Sequence, residues 1–332
     1  MHRRLAPCVL IVLTLVGCHK KSPTEPSGGG GSTAIHGQTV SAIDGGVVPN
    51  LSVQVGTRST NSDSNGFFDV DPGNEGTFRA LVKGGAVVDR DTRITVPKTD
   101  LRISMIPTAF DLDAFNEMFR TSNSRLQRWT ARPSLVLLAT VMEYRTGAGD
   151  TYDASGEQLT DDEVNMMLAH LNEGLALLTG NTYTGFASVE IERPTSGQRV
   201  NVQRAGKIVV GRYNGIITFA RTIGYGQWSE MSDGSINGGA MFLDRDFDRN
   251  ETRRRLLRIH ELGHALGYQH VQSRTSIMNP SIGPEPTAFD REGAMIAFHR
   301  PVGNRTPDVD PVSSALSMVA GEGKWSAPTI CR

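Results

Sequence analysis

Residues 260–270 read HELGHALGYQH, and three of the chain's eight histidines fall within them. Residues four apart on an α-helix differ by about 40° of rotation, so His260 and His264 project from one face, a turn apart. That spacing lets two imidazole nitrogens meet one metal ion at about 2.0–2.1 Å. Glu261 lies about 100° round, on the flank of that face, where it reaches a water on the ion without being a ligand. Gly267 explains how a third imidazole arrives. A glycine in the left-handed conformation ends a helix and turns the chain sharply at little steric cost, which brings His270 back toward the pair. Three imidazoles and one open position are the arrangement of a catalytic zinc site, because a structural site fills its fourth position with protein.

Working outward, the helix is expected from about Glu251 to Leu266, capped by Asn250 or Thr252. Ile259, Leu262 and Leu266 cover the side away from the His pair, with Leu256 and Leu257 beside it, so the helix should be buried on most sides. Downstream, SIMNP places Met278 eight residues after His270. The eleven residues match H-E-x-x-H-x-x-G-x-x-H, and together with Met278 they make residues 107–300 resemble the metzincin metalloproteases. GGAMFLDRDFD resembles the strand and loop before a matrixin-type active-site helix. The resemblance implies an α+β catalytic domain with a mixed twisted sheet and a central active-site helix. It further implies one Zn²⁺ on His260, His264 and His270, Glu261 as general base, and Met278 as a structural floor of the Met-turn. Some branches place a Tyr two residues after that Met; here the position is Pro280, so no Tyr ligand is implied. No cysteine-switch propeptide is found, and latency through a thiolate is not expected.

The N-terminus carries a different signal. MHRR is basic, and Leu5–Val16 is apolar over a length that suits a signal peptide better than a membrane span. It ends in LVGC, which resembles the lipobox of bacterial lipoproteins and implies cleavage before Cys18 and acylation of that residue. Of the three cysteines, Cys8 then leaves with the signal and Cys18 is lipidated. Only Cys331 remains, so no intramolecular disulfide is expected. His19 in place of Asp implies, by resemblance to Gram-negative sorting, an outer-membrane anchor in the cell envelope. Residues 18–33, with their Gly, Ser and Pro, read as a flexible tether.

Residues 34–106 alternate short β-rich runs with turn clusters, which predicts a small antiparallel sandwich. The order HGQTVSAIDGGVVPNLSVQV then SDSNGFFDV resembles the carboxypeptidase regulatory-like, transthyretin-like domain. Asp63, Asn65 and Asp69 read as a hairpin turn rather than a calcium site. Beyond Pro107, FDLDAFNEMFR is helical and RPSLVLLATVMEY is a buried strand. Residues 159–180 form the cleanest helix, with a Thr160/Glu163 capping box and an apolar stripe of Val164, Met167, Leu168, Leu171, Leu175 and Leu178. His170 falls off that stripe and reads as a surface residue. FASVEIE, KIVVG, IITFA and AMFLD read as strands, with the substrate-pairing edge placed within Ile216–Arg221. A last helix spans roughly Ala288–His299, capped by Thr287 with Asp290. The tail 301–332 reads as irregular.

A net charge of −1 gives no reason to expect nucleic acid as a partner. The expected chain is therefore multidomain: signal 1–17, tether 18–33, sandwich 34–106, protease domain 107–300 and tail 301–332. Its expected activity is membrane-anchored, zinc-dependent hydrolysis of protein or peptide substrates. Two other readings stand beside it: a non-catalytic surface adhesin with an idle zinc site, and a zinc hydrolase of a non-protein amide. Asp244, Asp246 and Asp248 alternate like a calcium loop but lack its Gly and Glu, so they read as capping carboxylates, with Ca²⁺ the lesser alternative.

Overall fold

The computed structural model describes residues 33–120, 124–145, 147, 149–312 and 323–331. The signal, Cys18 and nearly all of the tether lie outside the described residues. From Thr33 onward the chain is one compact unit.

Its first part is two small sheets. Strands β1 (Ile35–Ser41), β4 (Phe67–Val70) and β7 (Leu101–Met105) form one, in the order β4-β1-β7. Strands β2 (Ser52–Val55), β3 (Arg58–Asn61), β5 (Gly76–Lys83) and β6 (Arg90–Val96) form the other, in the order β3-β2-β5-β6. Alternate residues of both sheets point into one core that includes Ile35, Val53, Val82, Ile94 and Met105. The expectation of a purely antiparallel arrangement is corrected at one pairing. β1 and β7 run parallel, Gly37 opposite Leu101 through Ser41 opposite Met105. They lie at opposite ends of the segment, so no local turn signals how they pair. Asp63 accepts N–H bonds from Asn65 and Phe67, both at 2.8 Å, around Gly66 at φ +74°, as a hairpin turn requires.

The second part is built on a ten-stranded mixed sheet among the described residues. After α1 (Leu112–Phe119) come β8 (Arg128–Trp129), β9 (Ser134–Glu143), β10 (Thr151–Gln158), α2 (Asp161–Leu178), β11 (Val189–Glu192), β12 (Arg199–Asn201) and β13 (Lys207–Asn214). Then follow α3 (Ile216–Ala220), β14 (Gly224–Glu230), β15 (Ser235–Asp244), α4 (Arg245–Asn250), α5 (Arg254–Ala265), α6 (Ala288–Phe298), β16 (Lys324–Trp325) and β17 (Thr329–Cys331). The main order is β12-β10-β9-β13-β15-β14-β16. β9 is buried on both faces, Leu135, Leu137, Ala139 and Val141 toward the helices and Val136, Leu138 and Met142 toward a second core. That double burial is why its sequence runs apolar without alternation.

α2 lies across α5. Its capping box forms as expected, Thr160 with Glu163. Gly174 lets the two helices approach closely, because a β-carbon there would sit 3.1 Å from Leu262 Cδ2 and 3.2 Å from Ile259 Cγ1.

Three expectations are corrected. IITFA is the single-turn helix α3 and not a strand. Gly215 at φ +86° and Arg221 at φ +54° bracket it, and two left-handed residues so close cannot sit in an extended run. The strand that runs beside α5 is instead β14, with β16 and β17 paired outside it. The helix expected from Glu251 is α5, which begins at Arg254 after the N-cap Arg253 with no side-chain cap bond, so neither Asn250 nor Thr252 caps it. A separate short helix, α4, precedes it, capped by Asp244, which accepts from the N–H groups of Asp246 and Phe247. The described tail is regular only in part: residues 301–312 are turns and isolated bridges, with Asn304, Asp308 and Asp310 buried, whereas β16 and β17 pair with β14.

Candidate metal centre

The site is assembled from the last two turns of α5, the turn after it, and the loop that returns beneath it. Every residue of α5 from Leu256 to Ala265 is buried. The helix ends in a Schellman motif. The N–H of Tyr268 donates to Gly263 O and that of Gly267 to His264 O, both at 2.9 Å, with Gly267 at φ +98°. Trp129 Nε1–H donates to Ala265 O at 3.0 Å, satisfying one more terminal carbonyl.

This turn places the three imidazoles together. The Nε2 atoms of His260 and His264 are 3.0 Å apart, those of His264 and His270 3.2 Å, and those of His270 and His260 3.3 Å. His260 Nδ1 lies 2.7 Å from Ile277 O, and His264 Nδ1 lies 2.7 Å from Tyr268 O. A carbonyl only accepts, so each Nδ1 carries the proton and each Nε2 presents a lone pair. The His260–His264 contact is therefore two facing lone pairs and not a hydrogen bond. With the ring of His270 beside them, the three Nε2 atoms converge on a point where one cation would meet all three. Ligands at about 2.0–2.1 Å in a tetrahedron are about 3.3 Å apart, which fits one zinc-sized ion. Burial lowers the pKa of all three rings, that of His260 to about 4, so they are neutral and ligand-ready near neutral pH. Among the described residues this is the His, Cys, Asp and Glu group that can hold a metal ion.

Glu261 is fully buried, and neither carboxyl oxygen has a hydrogen-bond partner. Burial holds its pKa well above the usual carboxyl range. A buried carboxyl in that condition is costly unless a cation or its water completes the surroundings. The orphaned oxygens and the converging rings fit the same missing group, a divalent ion carrying a water.

Met278 is fully buried under the helix, with its sulfur against Gly263, where an added β-carbon would clash with it. The loop is tied on both sides. Val271 N–H donates to Met278 O at 2.9 Å, and Asn279 Nδ2 donates to Val271 O at 2.7 Å and Arg274 O at 2.8 Å. Asp290, itself in the capping box of α6, also accepts from Ile277 N–H at 3.2 Å and from Ser276 Oγ. That second task of Asp290 was not readable from the cap motif alone. Gly224 and Gly226 were also missed. An added β-carbon at Gly226 would lie 2.5 Å from His264 Cβ and 2.7 Å from Glu261 O; at Gly224 it would lie 2.9 Å from Glu261 Oε1. The signal existed, since GYG within a strand marks close backbone approach.

Asp244, Asp246 and Asp248 do not converge on a common point. Asp244 is the cap of α4, Asp248 is buried between Arg212 and Arg258, and Asp246 faces solvent beside Arg245. His170 is half-buried, its Nδ1 3.0 Å from Arg258 Nη1, and stands apart from the centre.

A mixed sheet carrying a buried helix with three converging imidazoles and one buried carboxyl defines a metal-binding type of site. Comparison with family models makes this more specific: residues 148–292 match the Matrixin model. The match supports a metzincin-like domain in this region and points to a zinc metallopeptidase, and matrixins typically bind zinc. No curated protein matches the chain.

Proposed function

We propose that this chain is a zinc-dependent endopeptidase, with His260, His264 and His270 holding the ion and Glu261 serving as general base. The observation that carries the reading is the convergence of three imidazole Nε2 atoms beside a buried carboxyl without a partner. When bound, zinc supplies Lewis acidity toward the scissile carbonyl and acidifies a water. Glu261 takes the proton of the attacking water and returns it to the leaving amine. His260 and His264 are oriented by Ile277 O and Tyr268 O, which fixes the tautomer that coordinates. Met278 supports the helix from below and takes no part in bond making.

In the same reading residues 34–106 are a carboxypeptidase regulatory-like sandwich, and acylated Cys18 anchors the chain in the bacterial envelope. Incorporation of labelled palmitate, lost in Cys18→Ser, tests the anchor. Peptide-library cleavage by the detergent-solubilised chain, with zinc assayed in the same sample, tests the activity. Cleavage should stop on chelation. Glu261→Ala should retain zinc and lose about 10²–10⁴-fold in kcat/KM. Unchanged cleavage by that variant, or none by the zinc-loaded wild type, contradicts the proposal.

A further inference from the structure

β14 runs directly beside the metal centre, since Gly224 and Gly226 leave room for Glu261 and His264. One of its edges pairs with β15 along its length. Among the described residues, the other pairs with 324–325 and 329–331 alone. Gly224, Tyr225 and Gly226 face Cys331, Ile330 and Thr329, and Ser229 and Glu230 face Trp325 and Lys324, all antiparallel. A cavity of about 910 Å³ is lined by Trp228, Glu230 and His270 together with the same distal segment.

The segment is held in an unusual way for a strand of a core sheet. None of residues 323–330 is buried, and the Ile330 side chain is 43% exposed. Between its two short paired runs, Ser326 N–H donates to Trp228 O at 2.8 Å, but Trp228 N–H donates to the Ser326 hydroxyl, at 3.1 Å, in place of a backbone carbonyl. Pro328, which has no N–H, falls in the same gap. The pairing is thus broken opposite Gln227 and Trp228. Trp325 supplies the principal side-chain anchor, packing over Gly238.

We propose that residues 323–331 occupy the strand edge on which a peptide substrate pairs, as an autoinhibitory contact within the chain. An extended peptide adds to an open sheet edge through main-chain hydrogen bonds. Here that edge is taken by an extended segment in antiparallel register, with incomplete pairing and little buried side-chain surface. A substrate able to pair along the whole of β14 displaces it. The identity of the displacing ligand as a peptide substrate rests on the peptidase reading; the occupancy of the edge does not.

Ser326→Pro in the full chain tests this, because it removes both bonds to Trp228. With a fluorogenic peptide, KM should fall about tenfold with kcat retained. In the Glu261→Ala background, a labelled peptide of residues 324–332 should bind the Ser326→Pro chain at least about tenfold more tightly than the chain with Ser326, by fluorescence anisotropy. An unchanged KM and equal peptide binding, at unaltered melting midpoint and zinc content, overturn the proposal. A variant that loses stability and activity together also overturns it, since the segment is then a structural strand. Peptide binding that follows the prediction while neither chain cleaves any peptide sustains the inference and refutes the peptidase reading.

Discussion

At Gly226 the strand and the active-site helix are as close as backbones allow, and a single methyl group decides whether they can stay so. In Gly226→Ala the new carbon meets Glu261 O, a backbone atom with no rotamer to escape into. The expected cost is about 1–3 kcal/mol of stability by urea titration, with weakened zinc binding by competition against a chelator. A variant with wild-type stability and affinity would show that the strand and helix are free to separate. The same scale explains what the sequence disclosed. His260, Glu261, His264, Gly267 and His270 lie within eleven residues, so helical geometry relates them without knowledge of the fold. Gly224, Gly226 and Gly263 have meaning only against a partner distant in sequence: the helix for the first two, Met278 for the third. Their roles emerge only when those elements are packed.

Among the elements, α2 shows how local chemistry and tertiary charge combine. Its capping residue Glu163 also faces Arg212 and Arg249. Burial works to raise its pKa, but the bonds from Arg212, Thr160 N–H and Arg249 outweigh that and hold it at about 2. An unfolded Glu titrates near 4.3. Between those values the unfolded chain binds the proton and the native chain does not, so stability rises with pH there. The contribution of Glu163 is therefore present above about pH 4.3 and lost as the pH falls toward about 2. Denaturant midpoints of wild type and Glu163→Gln should differ at pH 6, draw together below about pH 4.3 and converge only near pH 2 or below; a constant difference across that range contradicts the assignment. The capping box was legible because it is a four-residue pattern. IITFA was misread because β-branched composition resembles a strand, while the left-handed residues that close its single turn include Arg221, an unusual choice at positive φ.

For the molecule as a whole, the two parts are joined by a buried ionic cluster. Arg90 of β6 contacts Asp308 at 3.0 Å and Asp310 at 2.9 Å. Arg300, just after α6, contacts Asp308 at 2.8 Å and donates to Ser104 O of β7 at 2.9 Å. Burial would raise the pKa of Asp308, but Arg300 and Arg90 hold it low. Removing that carboxylate leaves buried Arg300 without an ion-pair partner and Arg90 with Asp310 alone, so Asp308→Ala should cost about 3–5 kcal/mol. A loss below about 1 kcal/mol by urea titration would mean the cluster is solvated and does not couple the parts. None of this was visible in the sequence. The residues are some 200 positions apart and carry no local pattern, whereas the alternation of strand and turn before residue 106 is a local property and was readable.

The central claim is that three imidazoles hold one zinc ion and leave a position for water. Zinc K-edge X-ray absorption on the zinc-loaded chain tests it most directly. The account predicts one equivalent of zinc with three imidazole nitrogens at about 2.0–2.1 Å and at least one further light-atom ligand that is not imidazole. A sulfur ligand, a fourth imidazole, or no zinc retained would contradict it.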